Sequence, residues 1–173
     1  MHRVAVVGSG GAGKSVFSEE LGRRTGIPVI HLDRHHWKPG WVETPVEEWR
    51  VLQASLVAEE RWIVDGNYGG TFDVRFERAD TVIVLALPPW RCVAGALRRS
   101  VQNRGTDVQA DGCPERVDFD FLRWIWRYPT DSRPRLDAAL RRHGRHLRVV
   151  ELRTRREAAS FLESVALAGA EGL

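Results

Sequence analysis

The amino-acid sequence predicts an α/β protein in which helices cover both faces of a parallel β-sheet. Short runs of β-branched and other apolar residues alternate with stretches of helical spacing along the 173-residue chain, a pattern typical of repeated strand–helix–strand units. One run, DTVIVLALP at 80–88, is apolar almost throughout, as expected of a strand buried on both faces. A chain of this length, with no evident linker, is predicted to form one domain over residues 1–173.

The first half of the chain contains three predicted strands and three predicted helices. Val16, Phe17 and Leu21 lie at helical spacing behind the first strand, and Gly26 is a suitable helix stop. Residues 34–44 combine several rings with no clear period, so we expect a loop there. The predicted strands are RVAVVG, IPVIHLD and RWIVDG, and the predicted helices lie in KSVFSEELGRRTG, PVEEWRVLQASLVAEE and TFDVRFERA.

Two more strands in the second half complete a five-stranded sheet. Pro129 and Pro134 are predicted to separate two helical stretches, because proline interrupts a helix. Residues 105–117, GTDVQADGCPERV, are polar and rich in turn-forming residues, which predicts a mobile segment. The predicted strands are DTVIVLALP and HLRVVEL, and the predicted helices lie in WRCVAGALRRSVQNRG, DFDFLRWIWRYP, RPRLDAALRRHG and REAASFLESVAL.

Composition and charge narrow the classes of function. Hydrophobic residues make up 43% of the chain, and no apolar run is long enough to span a bilayer. Without a signal-peptide pattern before RVAVVG we expect a cytoplasmic protein, and we expect Cys92 and Cys113 to be free thiols. The net charge of +3 divides into −2 for residues 1–86 and +5 for residues 87–173. A basic half suits a polyanion or a small phosphate-rich ligand, and it also fits a solvated arginine-rich surface.

A glycine-rich turn follows the first strand. GSGGAGKS at 8–15 matches the P-loop pattern G-x-x-x-x-G-K-[ST] between a predicted strand and a predicted helix, although a purely structural glycine turn is the alternative. Backbone N–H groups of such a turn form a concavity for the phosphates of ATP. Lys14 is predicted to reach the phosphates and Ser15 to bind Mg²⁺. The predicted nucleotide-binding residues are Gly8, Ser9, Gly10, Gly11, Ala12, Gly13, Lys14 and Ser15.

Two aspartates follow other strands, and the carboxyl ends of parallel strands share one edge of the sheet. Asp65 is predicted to hold Mg²⁺, with a role in the turn as the alternative. Asp33 is predicted to accept the proton of an attacking hydroxyl, or else to cap a turn. Trp37 and Trp41 form either a substrate wall or a part of the core. A metal site is a further interpretation of His31, Asp33, His35 and His36.

Arginines surround the polar segment of the second half. Phosphoryl transfer spreads negative charge over the γ-phosphate oxygens, and arginines on a closing segment stabilise that charge. We therefore predict a lid over roughly residues 99–135, although each arginine alone also fits an exposed surface position. Arg99 is assigned to the nucleotide, and Arg98 and Arg133 are assigned catalytic roles. Other arginines near the predicted site are Arg75, Arg78, Arg104 and Arg135.

Several stretches together suggest a relationship: the P-loop, IPVIHLD with the following WKPGW, RWIVDGNY, GCPER and FLRWIW. Over nearly the whole chain they resemble the bacterial P-loop proteins labelled DNA topology modulation proteins, which are similar to adenylate kinase. The resemblance implies a three-layer α/β/α P-loop kinase fold with a five-stranded parallel sheet and a mobile lid, and ATP and Mg²⁺ as cofactors. It implies that Asp65 belongs to an Asp-Gly substrate and Mg²⁺ motif, that Arg75 contacts a substrate or transferred phosphate, and that Asp33 binds the acceptor hydroxyl.

Two features depart from that pattern. Ala86 stands where relatives tend to carry the aspartate of Asp-Leu-Pro, so that either Asp65 carries the metal role alone or activity is weakened. The stretch after Pro39 lacks the helical insertion with which adenylate kinase binds a nucleoside monophosphate, which disfavours adenosine monophosphate as the acceptor.

The sequence thus predicts an ATP- and Mg²⁺-dependent phosphotransferase whose acceptor is a nucleoside, a nucleotide or another small hydroxylated metabolite, with no membrane partner. The alternative is a nucleotide-dependent regulatory protein that binds nucleic acid through its basic half, but the chain shows no DNA-binding motif. A third possibility, suggested by Ala86, is nucleotide binding without catalysis. The preference for ATP over GTP and the oligomeric state stay open.

Overall fold

Within residues 1–170, the part of the chain that the structure describes, five strands form one fully parallel sheet. The structure is a computed structural model, and it describes side chains for residues 1–165. The sheet strands are β1 (Arg3–Gly8), β2 (Val29–His31), β5 (Trp62–Asp65), β6 (Thr81–Leu85) and β7 (Arg148–Leu152), and a separate antiparallel pair comprises β3 (Trp37–Lys38) and β4 (Val42–Glu43). The order across the sheet is β2-β5-β1-β6-β7, which puts the first strand in the centre.

Helices connect the strands and cover the sheet on both faces. Their bounds are α1 (Lys14–Thr25), α2 (Asp33–His36), α3 (Val46–Leu56), α4 (Phe72–Phe76), α5 (Pro89–Gln102), α6 (Phe119–Asp131), α7 (Arg133–His143) and α8 (Arg155–Ala170), with a 3₁₀ turn at Gly69–Thr71 before α4. Gly26 ends α1 in the left-handed conformation expected from the sequence. No helix in this range has the length and apolar character required to cross a membrane.

Two apolar cores lie on opposite faces of the sheet because successive side chains of a strand alternate between faces. Val4 and Val6 of β1 pack with α1, α5, α6 and α8, through residues such as Leu21. Ala5 and Val7 pack with α3, α4 and α7, through residues such as Leu136. Each fully buried side chain of this size contributes roughly 1.5–3 kcal/mol. The predicted α/β architecture with a five-stranded parallel sheet is confirmed.

Two predictions of local structure were wrong. Residues 34–44 were expected to form a loop, but the chain forms α2 and the β3–β4 hairpin there. Elements of two to four residues are too short to produce a readable hydrophobic period. Pro129 was expected to separate two helices, yet α6 continues through it to Asp131. It lies in the last turn of α6, so the lost hydrogen bond affects only the end of that helix, and α7 begins only at Arg133.

The polar segment between α5 and α6, residues 103–118, forms what we call the cover loop. It contains no helix or strand, but short-range backbone bonds fold it back on itself. Gly105 N donates to Glu115 O at 3.0 Å, and Glu115 N donates to Thr106 O at 3.0 Å. Its predicted mobility stays a prediction.

Candidate active site

The P-loop follows the central strand and is held from outside by two helices. A Cβ on Gly11 would lie 2.0 Å from the carbonyl oxygen of Cys92, and one on Gly95 would lie 2.4 Å from the carbonyl oxygen of Gly11. Helix α5 therefore packs directly against the loop backbone, an approach that only glycine permits. On α6, the ring of Phe121 lies 2.5 Å from where a Cβ of Gly10 would be. The loop is thus preorganised by its packing.

Lys14, the first residue of α1, is the point on which the predicted site residues converge. Its Nζ donates to the carbonyl oxygen of Ser9 at 2.9 Å. The pKa of Lys14 lies below its ordinary value because the surrounding protein desolvates the ammonium; Asp33 and Asp65 oppose this effect, and Arg99 adds to it. Since these charges act on one ammonium, the structure brings four of the predicted residues into the same neighbourhood.

Asp65 ends β5 as a buried carboxylate, 1% exposed. The Ser15 hydroxyl donates to its Oδ1 at 3.5 Å, and His31 Nδ1 donates to its Oδ2 at 2.6 Å. Register explains the second contact, because His31 and Asp65 are directly paired residues of the adjacent parallel strands β2 and β5. The hydrogen bond to Asp65 raises the pKa of His31. The two residues predicted to hold Mg²⁺, Ser15 and Asp65, therefore lie together.

Asp33 begins α2 and is half-buried. The Tyr68 hydroxyl donates to its Oδ1 at 2.5 Å. Tyr68 has φ 25°, rare for a residue with a side chain, and burial raises the pKa of its hydroxyl, with Asp33 acting in the same direction. Tyr68 was not among the predicted site residues, although it lies in RWIVDGNY, after the strand that carries Asp65.

An aromatic cluster continues from Tyr68 towards the β3–β4 hairpin. The Tyr68 ring centroid lies 4.5 Å from that of His36 and 5.0 Å from that of Trp49. Trp37 and Trp41 pack edge to face at 5.5 Å and are partly exposed, whereas Trp49 and His36 are buried. Trp37 and Trp41, for which a substrate wall and a part of the core were the two interpretations, pack on each other at the surface, while Trp49 and His36 belong to the interior.

Arg75 requires a correction. The resemblance implies that it contacts a phosphate, but its side chain is fully buried and burial lowers its pKa to about 10. Its Nη1 donates to Gly66 O at 2.8 Å, and its Nη2 donates to Asn67 O at 3.1 Å and Tyr68 O at 3.3 Å. With these donors directed at the main chain, Arg75 supports the segment that carries Tyr68.

The remaining predicted arginines divide into one near the P-loop and two elsewhere. Arg99 acts on the Lys14 ammonium and forms an ion pair with Glu115, Nε to Oε1, at 2.8 Å. Arg98 is exposed and donates to Gln102, its neighbour one turn along α5. Arg133 is held by acidic residues of α7 and β7, Asp137 at 2.7 Å and Glu151 at 3.1 Å. The catalytic roles predicted for Arg98 and Arg133 find no support in these contacts.

The cover loop touches the β3–β4 hairpin directly. Gly40 N donates to Gly112 O at 2.8 Å, and Trp41 Nε1 donates to Pro114 O at 3.3 Å. A Cβ on Gly112 would lie 2.8 Å from that of Pro39. The predicted lid region thus meets the hairpin that follows Asp33.

No cluster of three or more His, Cys, Asp or Glu residues that could hold a metal ion is found among the residues that the structure describes. His36, one member of the histidine-based alternative, is buried among rings, and burial lowers its pKa. The oxygens of Ser15 and Asp65 are therefore the donors that the site itself offers to a cation.

Comparison with known proteins gives the fold. No protein-family model matches the chain. The Bacillus subtilis (strain 168) protein YqaC is 27% identical over 145 residues, which cover 81% of this chain and 80% of YqaC. The resemblance to DNA topology modulation proteins is not confirmed by these comparisons.

Two shikimate kinases are similar to the chain in structure. The enzyme from Acinetobacter baumannii, solved in complex with shikimate, has a TM-score of 0.61 at 13% identity, covering 99% of this chain and 94% of that one. The enzyme from Bacteroides thetaiotaomicron has a TM-score of 0.55 at 16% identity, covering 99% of both chains. The chain therefore shares the α/β fold of these two shikimate kinases.

Proposed function

We propose that the protein is an ATP- and Mg²⁺-dependent phosphotransferase that acts on a small hydroxylated acceptor. The observation that carries the proposal is that Asp65, at the carboxyl end of β5, lies within 3.5 Å of Ser15 in the P-loop, next to Lys14, on whose ammonium the charges of Asp33, Asp65 and Arg99 act. Such an edge is where α/β proteins bind ligands. Phosphoryl transfer depends chiefly on positioning and on stabilising charge, and these residue types supply both.

The P-loop fits the phosphates of a nucleotide. Gly13 adopts φ 89°, a left-handed conformation that favours glycine at the turn into α1. No heavy atom lies within 4 Å of the position that a Cβ would occupy there, so the space beside the turn is open. The helix begins at once with Lys14, whose ammonium is partly desolvated. A bound phosphate would place negative charge beside this ammonium and would accept hydrogen bonds from the helix N-terminus.

Ser15 and Asp65 fit Mg²⁺, which prefers oxygen ligands. Their facing oxygens lie 3.5 Å apart. His31 occupies the other carboxylate oxygen at 2.6 Å and so fixes the orientation of Asp65. When bound, Mg²⁺ neutralises charge on the nucleotide phosphates. Ala86 removes one candidate acidic partner, so Asp65 would carry this role alone.

Asp33 is the candidate for the acceptor side. Tyr68 donates to Oδ1 and thereby orients the carboxylate, which leaves Oδ2 to accept a hydrogen bond from an acceptor hydroxyl and then its proton. The partly exposed Trp37 and Trp41 offer an apolar wall. A nucleoside, a nucleotide or another small hydroxylated metabolite fits this chemistry, and the similarity in fold to shikimate kinases supports a small-molecule acceptor.

The test is a screen of purified protein with ATP and Mg²⁺ against nucleosides, nucleotides and small hydroxylated metabolites, reading ADP release above the background without acceptor. Acceptor-dependent release that is lost in Lys14→Ala would support the proposal and identify the acceptor class. Release that is independent of acceptor, or its absence, would overturn the transferase proposal and direct attention to nucleic-acid binding.

Asp33→Asn tests the acceptor side of the same site. With the acceptor found in the screen, turnover should fall by about 100-fold or more. The dissociation constant of Mg²⁺·AMP-PNP, a non-hydrolysable ATP analogue, should not rise, because Asp33 does not belong to the P-loop and loss of its negative charge beside Lys14 does not disfavour a phosphate. Full transfer activity in this variant would remove the proposed role of Asp33.

A further inference from the structure

Glu115 is a buried carboxylate, 3% exposed, in a largely polar and exposed loop whose other buried residues are Ala110 and Cys113. Burial of a carboxylate is costly unless several donors compensate it. Three side chains approach this one: Arg99 Nε at 2.8 Å, Gln109 Nε2 at 2.8 Å and Ser100 Oγ at 3.2 Å. Arg99 and Ser100 belong to the end of α5, so the carboxylate joins the cover loop to that helix.

The same residue also organises the backbone of the cover loop. Its N–H donates to Thr106 O and its carbonyl oxygen accepts from Gly105 N, both at 3.0 Å. These bonds fix Glu115 within the cover loop, and the contacts of its carboxylate with Arg99 and Ser100 join it to α5. A residue that is held by both its backbone and its carboxylate is suited to hold a partner side chain in one orientation.

The partner that matters is Arg99, whose guanidinium faces Glu115 with its Nε side. Nε lies 2.8 Å from Glu115 Oε1 but the contact lacks hydrogen-bond geometry, so the attraction between the two charges holds the pair. Within the described contacts neither Nη group of Arg99 has a protein acceptor. A guanidinium held by an ion pair at its Nε side leaves both Nη groups as a fork that matches a phosphate. Gly95, one turn before Arg99 on α5, packs against Gly11 of the P-loop, which puts Arg99 on the helix face that meets the loop.

We propose that Glu115 is a positioning residue that holds Arg99 ready for the phosphates of the nucleotide. The inference rests on the proposed function and goes beyond it, because it assigns a role to an acid that touches neither the P-loop nor Asp33. The ion pair lowers the entropy that Arg99 loses on binding phosphate, so affinity for the nucleotide depends on a carboxylate outside the phosphate site.

The experiment measures calorimetrically the binding of Mg²⁺·AMP-PNP to wild type, Glu115→Gln, Arg99→Gln and the double variant. Each single variant should bind about tenfold more weakly, as expected for loss of a charge-assisted contact. The double variant should bind no more weakly than Arg99→Gln alone. A purely structural role for Glu115 would give additive losses, and a carboxylate that competes with phosphate for Arg99 would make Glu115→Gln bind more tightly; either result overturns the proposal.

Ser100→Ala is the matched control, because it removes another partner of Glu115 without touching Arg99; its affinity should stay within about twofold of wild type. Arg99→Lys makes the test independent of whether Glu115→Gln folds. This variant keeps the charge, but a single ammonium cannot face Glu115 and also offer a planar fork to a phosphate. Its affinity for Mg²⁺·AMP-PNP should therefore also fall about tenfold. Retained affinity in Arg99→Lys overturns the proposal.

Wild-type binding separates this inference from the proposed function. If wild type binds Mg²⁺·AMP-PNP, Lys14→Ala does not, and Glu115→Gln binds like wild type, only the positioning role is lost. If wild type itself fails to bind the nucleotide, both the proposed function and the role of Glu115 fall together.

Discussion

Tyr68 and Arg75 explain how a side chain is held at the acceptor edge of the site. The φ of 25° at Tyr68 belongs to a class of backbone conformations that cost about 1–3 kcal/mol and persist only when their surroundings enforce them. Arg75 enforces it by donating to three successive carbonyl oxygens, the last of which belongs to Tyr68. A buried arginine thus stabilises a strained segment, and the hydroxyl of Tyr68 is directed at Asp33 as a result.

Replacement of Arg75 by methionine should lower the free energy of unfolding by about 3 kcal/mol, because buried carbonyl groups would lose their donors. Urea denaturation measures the change. Arg78→Met is the matched control: Arg78 is exposed and donates to Ala58 O alone at 2.7 Å, so its loss should cost less than about 1 kcal/mol. Equal losses in the two variants would show that Arg75 has no special role in the segment.

At the scale of elements, the cover loop and the β3–β4 hairpin act as one surface. The loop is tied to α5 through Glu115 and to the hairpin through Gly112 and Pro114. One end of this connection lies beside Arg99 and the other beside Trp41, so the loop spans the nucleotide side and the acceptor side of the proposed site.

Gly112→Ala tests the contact between loop and hairpin. Gly112 has φ 72°, and a Cβ there would lie 2.8 Å from that of Pro39. Gly105→Ala is the control, with a similar φ of 76° and no heavy atom within 4 Å of the new Cβ. Both variants should lose about 1 kcal/mol from backbone strain. Only Gly112→Ala should speed hydrogen exchange at the Gly40 amide; equally fast exchange in both would contradict the contact.

Local patterns explain which elements could be predicted from the sequence. The strands, the P-loop and Asp65 are visible because a short apolar, β-branched run, a spaced glycine motif and a polar residue at a strand end are properties of short stretches. Other contacts depend on tertiary geometry, which no hydrophobic period in the sequence reveals. Examples are the hydrogen bond from Tyr68 to Asp33 and those from Arg75 to backbone carbonyl oxygens. Glu115 lies in a segment whose composition predicts only turns, and its burial follows from the packing of the cover loop against α5.

At the scale of the whole molecule, the carboxyl and amino ends of the parallel strands have different roles. The carboxyl ends of β1 and β5 carry the candidate site, whereas Asp80, just before β6, joins β1 and β7 at the amino ends of the strands. Its Oδ2 accepts from the backbone N–H groups of His2 and Arg3 at 2.8 Å, and its own carbonyl oxygen accepts from Arg148 N at 2.9 Å. Changes at this edge should alter stability without altering the site.

Asp80→Asn tests that separation through pH. Burial opposes ionisation of Asp80, but hydrogen bonds from Thr81, Arg3 and His2 outweigh it and hold the pKa below 3.8. The folded carboxylate is therefore favoured, and its contribution is complete above about pH 4 and lost as pH falls through the lowered pKa. At pH 7 the free energy of unfolding of the variant should be about 1–2 kcal/mol lower than that of wild type.

The difference between wild type and Asp80→Asn in urea denaturation should shrink progressively below about pH 4, because only wild type can titrate at this position. Binding of Mg²⁺·AMP-PNP at pH 7 should be the same in both proteins, since Asp80 lies at the edge opposite the P-loop. Asp131→Asn is the control, because the Asp131 carboxylate pairs with Arg127 on an exposed face and its loss should leave stability nearly unchanged. A difference that stays constant across this pH range would mean that hydrogen bonding to the Asp80 carboxylate does not stabilise the amino edge.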